Sequence, residues 1–444
     1  MNCRRGRVQL NKPAVASGTR VALWLLLVLA GAEFTIRGPV RYFQNPSEWN
    51  DFSQNYTASK LWLRGKNPAN PKNFVALWKE QTWIGLDTTD IRTHLAPPLG
   101  GLVVLAPVAL FPWKTAKVIW LLALLISFAA TVWVFVRILE GSRDEARTVI
   151  FVAACLALAP FHTGLANGNT SILVIAFCAL AIGAALEQHD TVAGLLFGFA
   201  CSIKPQLGAF LVLYYLIRRR WRLFSVAVGC TASLNLIAAL YLRLRGAAWL
   251  QDYLNNAKGF VSSNKIDSFA ADNPGRFSLI NLQVPFFSLT QNTYSANLWA
   301  FVVTGVLVCG WVFYVLKRKG NLELLSLATI GTIALLPVYH RFYDAGFLVI
   351  PVCWSIAEIK GPSKAIARWA LALMIPFLLP GSALLEKLAL RSSVPSSLTS
   401  SRLWESIVMP HEIWILVLLS FVLLLAMRVE SKYVGEKLKP RENR

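Results

Sequence analysis

A few ionisable residues in this chain stand where chemistry could be done, each beside a long apolar run. Asp51 lies in Trp49-Asn50-Asp51-Phe52-Ser53-Gln54-Asn55-Tyr56, shortly after the first such run. A carboxylate at a membrane surface can take the proton from a hydroxyl nucleophile. It also stands just ahead of a helical-looking stretch, 52–63, which it could simply cap. Asp87 and Asp90, ahead of His94, are the rival carboxylates. Lys204-Pro205 joins two short apolar stretches, and an ammonium below a membrane surface is costly enough to suggest a function. The blander reading is a snorkelling lysine. His340-Arg341, followed by Phe342-Tyr343-Asp344, could present two donors to a phosphate, or be a solvated turn. His162, His189 and His411 fall near expected membrane boundaries and read as interfacial.

Other chemistries leave no signature. The chain has no G-x-x-x-x-G-K-[ST], no G-x-G-x-x-G after a strand, no G-x-S-x-G and no H-E-x-x-H, so nothing points to nucleotide-driven chemistry. Of the 7 cysteines, Cys3 is near the N-terminus and the rest lie inside apolar runs, which offers neither a disulfide framework nor a metal cluster. No cofactor is expected, although the external carboxylates could recruit a divalent ion.

The elements that must position these residues are membrane helices. Of 444 residues, 55% are hydrophobic and 15% charged, yet the net charge is +21. That composition excludes a disordered tail protein, a secreted disulfide scaffold and an ordinary nucleic-acid binder. The fold class expected is an all-α polytopic membrane protein. Runs near 21–36, 117–138, 148–162, 170–187, 191–203, 206–217, 222–242, 297–316, 321–339, 342–358, 365–384 and 408–428 give about 12 transmembrane helices with both termini cytoplasmic. The cytoplasmic tails are then 1–20 and 429–444, flanking a membrane domain over 21–428, and the external segments are 37–116, 243–296 and 385–407. Counting the apolar stretch 95–112 as a further span would put Arg218-Arg219-Arg220-Trp221-Arg222 outside, against the positive-inside tendency. Its prolines 97, 98, 107 and 112 are also poor material for a lipid-exposed helix. It reads instead as juxtamembrane or re-entrant, and the larger share of the positive charge then falls on the cytoplasmic side.

An ordered set of short patterns carries a resemblance. Asp51-x4-Tyr56 is followed by Leu63-Arg64-Gly65-Lys66-Asn67-Pro68 and by Ala96-Pro97-Pro98-Leu99 with Pro107. Then come Asn167-Gly168-Asn169, Ala193-Gly194-Leu195-Leu196-Phe197-Gly198 leading into Ile203-Lys204-Pro205, Arg219-Arg220-Trp221, and His340-x3-Asp344 before Pro351. In these features the chain resembles glycosyltransferase family 87, polyprenol-phosphate-mannose-dependent mannosyltransferases of the GT-C superfamily. The resemblance covers most of 20–360. It departs at Gly168-Asn169, where Gly-Gln is common, and at Ala69, where Tyr is frequent after Asn-Pro. It implies a GT-C-type helical bundle with juxtamembrane helices in the first external loop and an acidic catalytic base there, at the position of Asp51.

The expected reaction is an inverting, metal-independent transfer of a hexose, mannose, from a polyprenyl-phosphate sugar to a lipid or glycan acceptor. It would run on the external, periplasmic side of a bacterial inner membrane, with membrane lipids and no nucleic acid as partners. Asp51 would be the base, Lys204, His340 and Arg341 would hold the donor phosphate, and Tyr56, His94, Asn167, Asn169 and Asp344 are candidates for the sugar or acceptor. The rival reading is a transporter or flippase of a lipid-linked anionic substrate. Against it, the ionisable residues gather at the external ends of the runs, and no inverted pair of broken helices is visible.

Overall fold

The computed structural model describes residues 17–45, 50–81, 83, 85–90, 93, 98–140, 144–260, 268–273, 275–317, 322–391 and 393–437. His94, Trp49 and Arg92 lie outside the described residues. The chain is helical. α1 (Ser17–Thr35) passes through a widened turn holding Pro39 into α2 (Arg41–Gln44), and α3 (Asp51–Leu63), α4 (Pro71–Glu80) and α5 (Gly100–Ala109) follow. Next come α6 (Trp113–Glu140), α7 (Glu145–Ala157), α8 (Ala159–Ala166), α9 (Ser171–Leu186), α10 (Asp190–Ile203), α11 (Pro205–Ile217), α12 (Trp221–Leu244) and α13 (Leu250–Phe260). The last third holds α14 (Gln283–Thr290), α15 (Thr293–Lys317), α16 (Glu323–Ile333), α17 (Val349–Glu358), α18 (Lys364–Met374), α19 (Gly381–Leu390), α20 (Ser396–Thr399) and α21 (His411–Lys437). Among the described residues there is no strand, only an isolated antiparallel bridge between Leu279 and Arg341.

Among the described residues five helical stretches are long and apolar enough to cross a membrane: Gly18–Gln44, Trp113–Leu139, Trp221–Leu244, Thr293–Lys317 and His411–Ser431. The pairs α7–α8 and α18–α19, each bent by 44°, raise the number to 7 if each pair is one span. The chain is therefore a multi-pass helical membrane protein. Around the long helices pack shorter apolar ones, including α5, α9, α10, α11 and α16. The runs 321–339 and 342–358 yield only the 11-residue α16 and the 10-residue α17, separated by a turn and a 3-10 segment, Phe342–Leu348. The run 365–384 breaks before Gly381, so its last residues belong to α19.

Two packings matter for the site. α10 lies against α12 through Gly194 and Gly198, where an added Cβ would stand 2.7 Å from the Leu223 carbonyl oxygen and 2.5 Å from Cys230 Cβ. Small residues four apart let two backbones approach this closely in a membrane. α3 is clamped to α6 by aromatic rings: Phe52 stacks on Trp120 (5.0 Å) and Trp113 (5.5 Å), and Tyr56 meets Trp113 edge-on at 5.2 Å. α5 covers α3, α10 and α12. With 10 residues it is about 15 Å long, too short to cross a bilayer.

Candidate active site

Asp51 is the first residue of α3, yet it does not cap the helix. That role belongs to Asn50, whose side chain accepts from Ser53 N at 2.9 Å while Asn50 N donates to Ser53 Oγ at 3.2 Å. With the helix end satisfied, the half-buried Asp51 carboxylate has another partner: Asn169 Nδ2 donates to its Oδ2 at 2.6 Å. Among the described residues Oδ1 accepts no hydrogen bond.

The turn between α8 and α9 brings Asn169 there. Gly168 takes φ +61, a left-handed conformation a side chain resists, and a Cβ at that point would lie 2.9 Å from both Phe52 Cβ and Tyr42 Cε2. The turn is pinned from outside, since Asp51 N donates to the Asn167 carbonyl (2.9 Å) and Trp120 Nε1 to the Gly168 carbonyl (2.8 Å). Asn167 itself turns away, its Nδ2 donating to the Thr163 carbonyl.

Behind Asn169 lies a buried ion pair. Lys204, at the break between α10 and α11, donates to Asp344 Oδ1 (2.9 Å), Ser171 Oγ (2.7 Å) and Asn169 Oδ1 (3.2 Å). An ammonium has three N–H groups, and here all three are engaged. Asp344 is fully buried and surrounded by donors: Ser171 Oγ and Lys204 at Oδ1, and at Oδ2 the Arg341 backbone N–H (3.1 Å) with His340 Nδ1 (3.3 Å). The Lys204 ammonium also stands over the Tyr343 ring, 4.9 Å from its centroid.

The remaining candidates fall on either side of this network. His340 is turned inward with no exposed surface, and its Nε2 has no hydrogen-bond partner among the described residues. Arg341, half-buried, directs Nε to the Tyr339 hydroxyl at 2.6 Å. The turn that carries them is held by the second loop, through Ile280 N to the His340 carbonyl (2.9 Å) and Leu282 N to the Leu336 carbonyl (3.0 Å). Tyr56 is buried in the aromatic clamp, donating to the Phe111 carbonyl and accepting from Lys60 Nζ, both at 2.9 Å. Burial pushes its phenol up to about 12 and pulls the Lys60 ammonium down, so the tyrosine keeps its proton at neutral pH. His162 is buried in α8. Asp87 is exposed and turns back on Thr89, which holds its carboxyl below the usual range. Ser171 and Tyr343 are the site residues the sequence reading missed. Ser171 had a signal: Asn169 Oδ1 accepts from Ser171 N at 2.8 Å, the side-chain turn that Asn favours just ahead of an apolar helix. Among the described residues no group of three or more His, Cys, Asp or Glu is placed to hold a metal ion.

A helical membrane bundle in which a carboxylate, an ammonium and a histidine meet where five chain segments come together defines a multi-pass membrane protein with the makings of an acid–base site. Its family follows from comparison: the sequence model of glycosyltransferase family 87 matches residues 97–338, more than half of the chain. The chain belongs to glycosyltransferase family 87 and is a membrane glycosyltransferase, which decides against the transport reading. The matched region holds Asn169, Ser171 and Lys204, while Asp51 and His340 to Asp344 lie outside it. No curated protein matches the chain.

Proposed function

We propose that this glycosyltransferase moves a mannosyl group from polyprenyl-phosphate mannose to a hydroxyl of a lipid or glycan acceptor, with inversion, on the periplasmic face of a bacterial inner membrane. The bundle would be of GT-C type, with twelve crossings and both termini in the cytoplasm. The observation that carries the reading is Asp51: a half-buried carboxylate, released from capping by Asn50, with one oxygen held by Asn169 and the other taking no bond among the described residues. That oxygen takes the acceptor's hydroxyl proton as the acceptor oxygen bonds to the anomeric carbon. The bond from that carbon to the phosphate oxygen breaks, and its electron pair leaves with the polyprenyl phosphate. No metal ion is needed in this scheme.

The leaving phosphate gains charge as it departs and calls for a positive corner. Arg341, Lys204 and His340 form it with different parts. Arg341 and Lys204 are both partly exposed and His340 is not; Arg341 meets the phosphate, whereas the Lys204 N–H groups and His340 are directed inward toward Asp344 and its neighbours. The sugar and acceptor lie on the open side of Asp51, since Tyr56 is buried in the aromatic clamp and Asn167 turns its amide to the Thr163 carbonyl. In purified protein given polyprenyl-phosphate mannose and a panel of glycolipid acceptors, Asp51→Asn lowers release of free polyprenyl phosphate at least about 100-fold, the contribution expected of a general base. Full transfer by that variant sinks the assignment.

A further inference from the structure

We infer that Asn169 is a positioning residue for Asp51, aiming the base by way of the buried Lys204–Asp344 pair, rather than a contact to sugar or acceptor; this rests on the reading of Asp51 as the base. The amide has one orientation available. Its Oδ1 is ringed by Ser171 N (2.8 Å), Ser171 Oγ (2.5 Å) and Lys204 Nζ (3.2 Å). Turned over, it would set an NH2 group against an ammonium and a backbone N–H, and an acceptor oxygen against the Asp51 carboxylate. Both ends would be repelled, so Nδ2 must face Asp51. The ring of donors is itself fixed. Lys204 cannot swing away because Asp344 holds it, and Asp344 is locked by Ser171, His340 and the Arg341 backbone. The Ser171 hydroxyl has a single proton, and the charged Asp344 has the stronger claim on it. Ser171 N and Lys204 then define the orientation of Asn169.

Position agrees with that role. Asn169 is only 4% exposed, behind Asp51, and its amide is the one side-chain partner the Asp51 carboxylate has among the described residues. Without it the carboxylate of a half-buried residue turns about its side-chain torsions, and the oxygen that should face the acceptor is no longer held in line. Displacements near 1 Å cost about 100-fold in rate. The loss belongs to kcat, since neither substrate touches the amide.

The test is a cycle of Asp51→Asn, Asn169→Ala and the double variant, with turnover read as free polyprenyl phosphate released from polyprenyl-phosphate mannose. Asn169→Ala is expected to lower kcat about 10- to 100-fold and to leave KM for donor and acceptor within about threefold, the small change expected where no substrate contact is lost. On the Asp51→Asn background it lowers kcat no further, because the group it aims is gone. A rise in KM with unchanged kcat makes Asn169 a substrate contact and overturns the inference, as does a full additional loss on the Asp51→Asn background. Retained transfer by Asp51→Asn alone instead removes the base reading and the inference with it. Should Asn169→Ala fail to fold, Ser171→Ala takes its place: a kcat loss confined to the Asp51 background supports the inference, and an additive loss overturns it.

Discussion

A carboxylate with no exposed surface persists in an apolar bundle only if its charge is met from every side, and Asp344 is met by an ammonium, an imidazole, a hydroxyl and a backbone N–H. Such a pair is more informative when one half is removed. Lys204→Met or Asp344→Asn alone leaves an uncompensated buried group and is expected to cost about 3–5 kcal/mol. Thermal unfolding in detergent reads that loss directly. The double variant should lose less than the sum, since no unpaired charge remains. Strictly additive losses would show that the two side chains do not act as a pair. At this scale the sequence made half of the site legible. Lys204 stood out because a lysine between two short apolar stretches has a high desolvation cost, and Asp51 because it lies in a polar segment next to a membrane run. Their partners were not legible as partners. Nothing in a single chain says that Lys204 lies beside Asp344, 140 positions away, with its N–H groups already directed inward.

Elements do the aiming, and the turn Asn167-Gly168-Asn169 is where one element sets another. It accepts the first N–H of α3 through Asn167, takes the indole of Trp120 on α6 through Gly168, and sends Asn169 to Asp51. Gly168→Ala must hold a side chain at φ +61, which costs about 1–2 kcal/mol, and must also displace Phe52 or Tyr42, each 2.9 Å from the new Cβ. The expected result is a lower melting temperature together with a fall in transfer larger than the stability loss explains, because Asp51 moves with Phe52. Wild-type transfer rates in a variant that is only less stable would detach the turn from the site. Long helices such as α6, α12, α15 and α21 were readable as apolar runs of sufficient length. The broken segment between α16 and α17 was not, because hydropathy does not register a bend whose backbone groups are satisfied elsewhere. There the 279–283 segment supplies the missing partners, down to Gln283 Nε2 donating to the Pro337 carbonyl at 2.6 Å.

Over the whole molecule the charges gather at two levels. One end of α9 carries Ser171 and the site. The other end, 16 residues on and about 24 Å away, leads to Glu187 and to a second ionic cluster. In that cluster Arg220 bonds Asp190, donates to the Ala185 carbonyl at 2.7 Å and approaches Glu323, while Tyr215 donates to Glu323 at 2.9 Å. The group joins the far ends of α9, α10, α11 and α16, and next to it stand Arg218, Arg219 and Arg222. Residues 218–222 thus carry four arginines in five positions, and an excess of Arg and Lys marks the cytoplasmic side of a membrane protein. The Arg220 cluster should therefore face the cytoplasm and the Asp51 site the opposite side. Single cysteines introduced into a cysteine-free background test this. Thr88→Cys, exposed in the first loop, should react with a membrane-impermeant maleimide on right-side-out vesicles, and Arg218→Cys only after the vesicles are opened. The reverse pattern would turn the molecule over and place the sugar transfer in the cytoplasm, without touching its family or the geometry of the site.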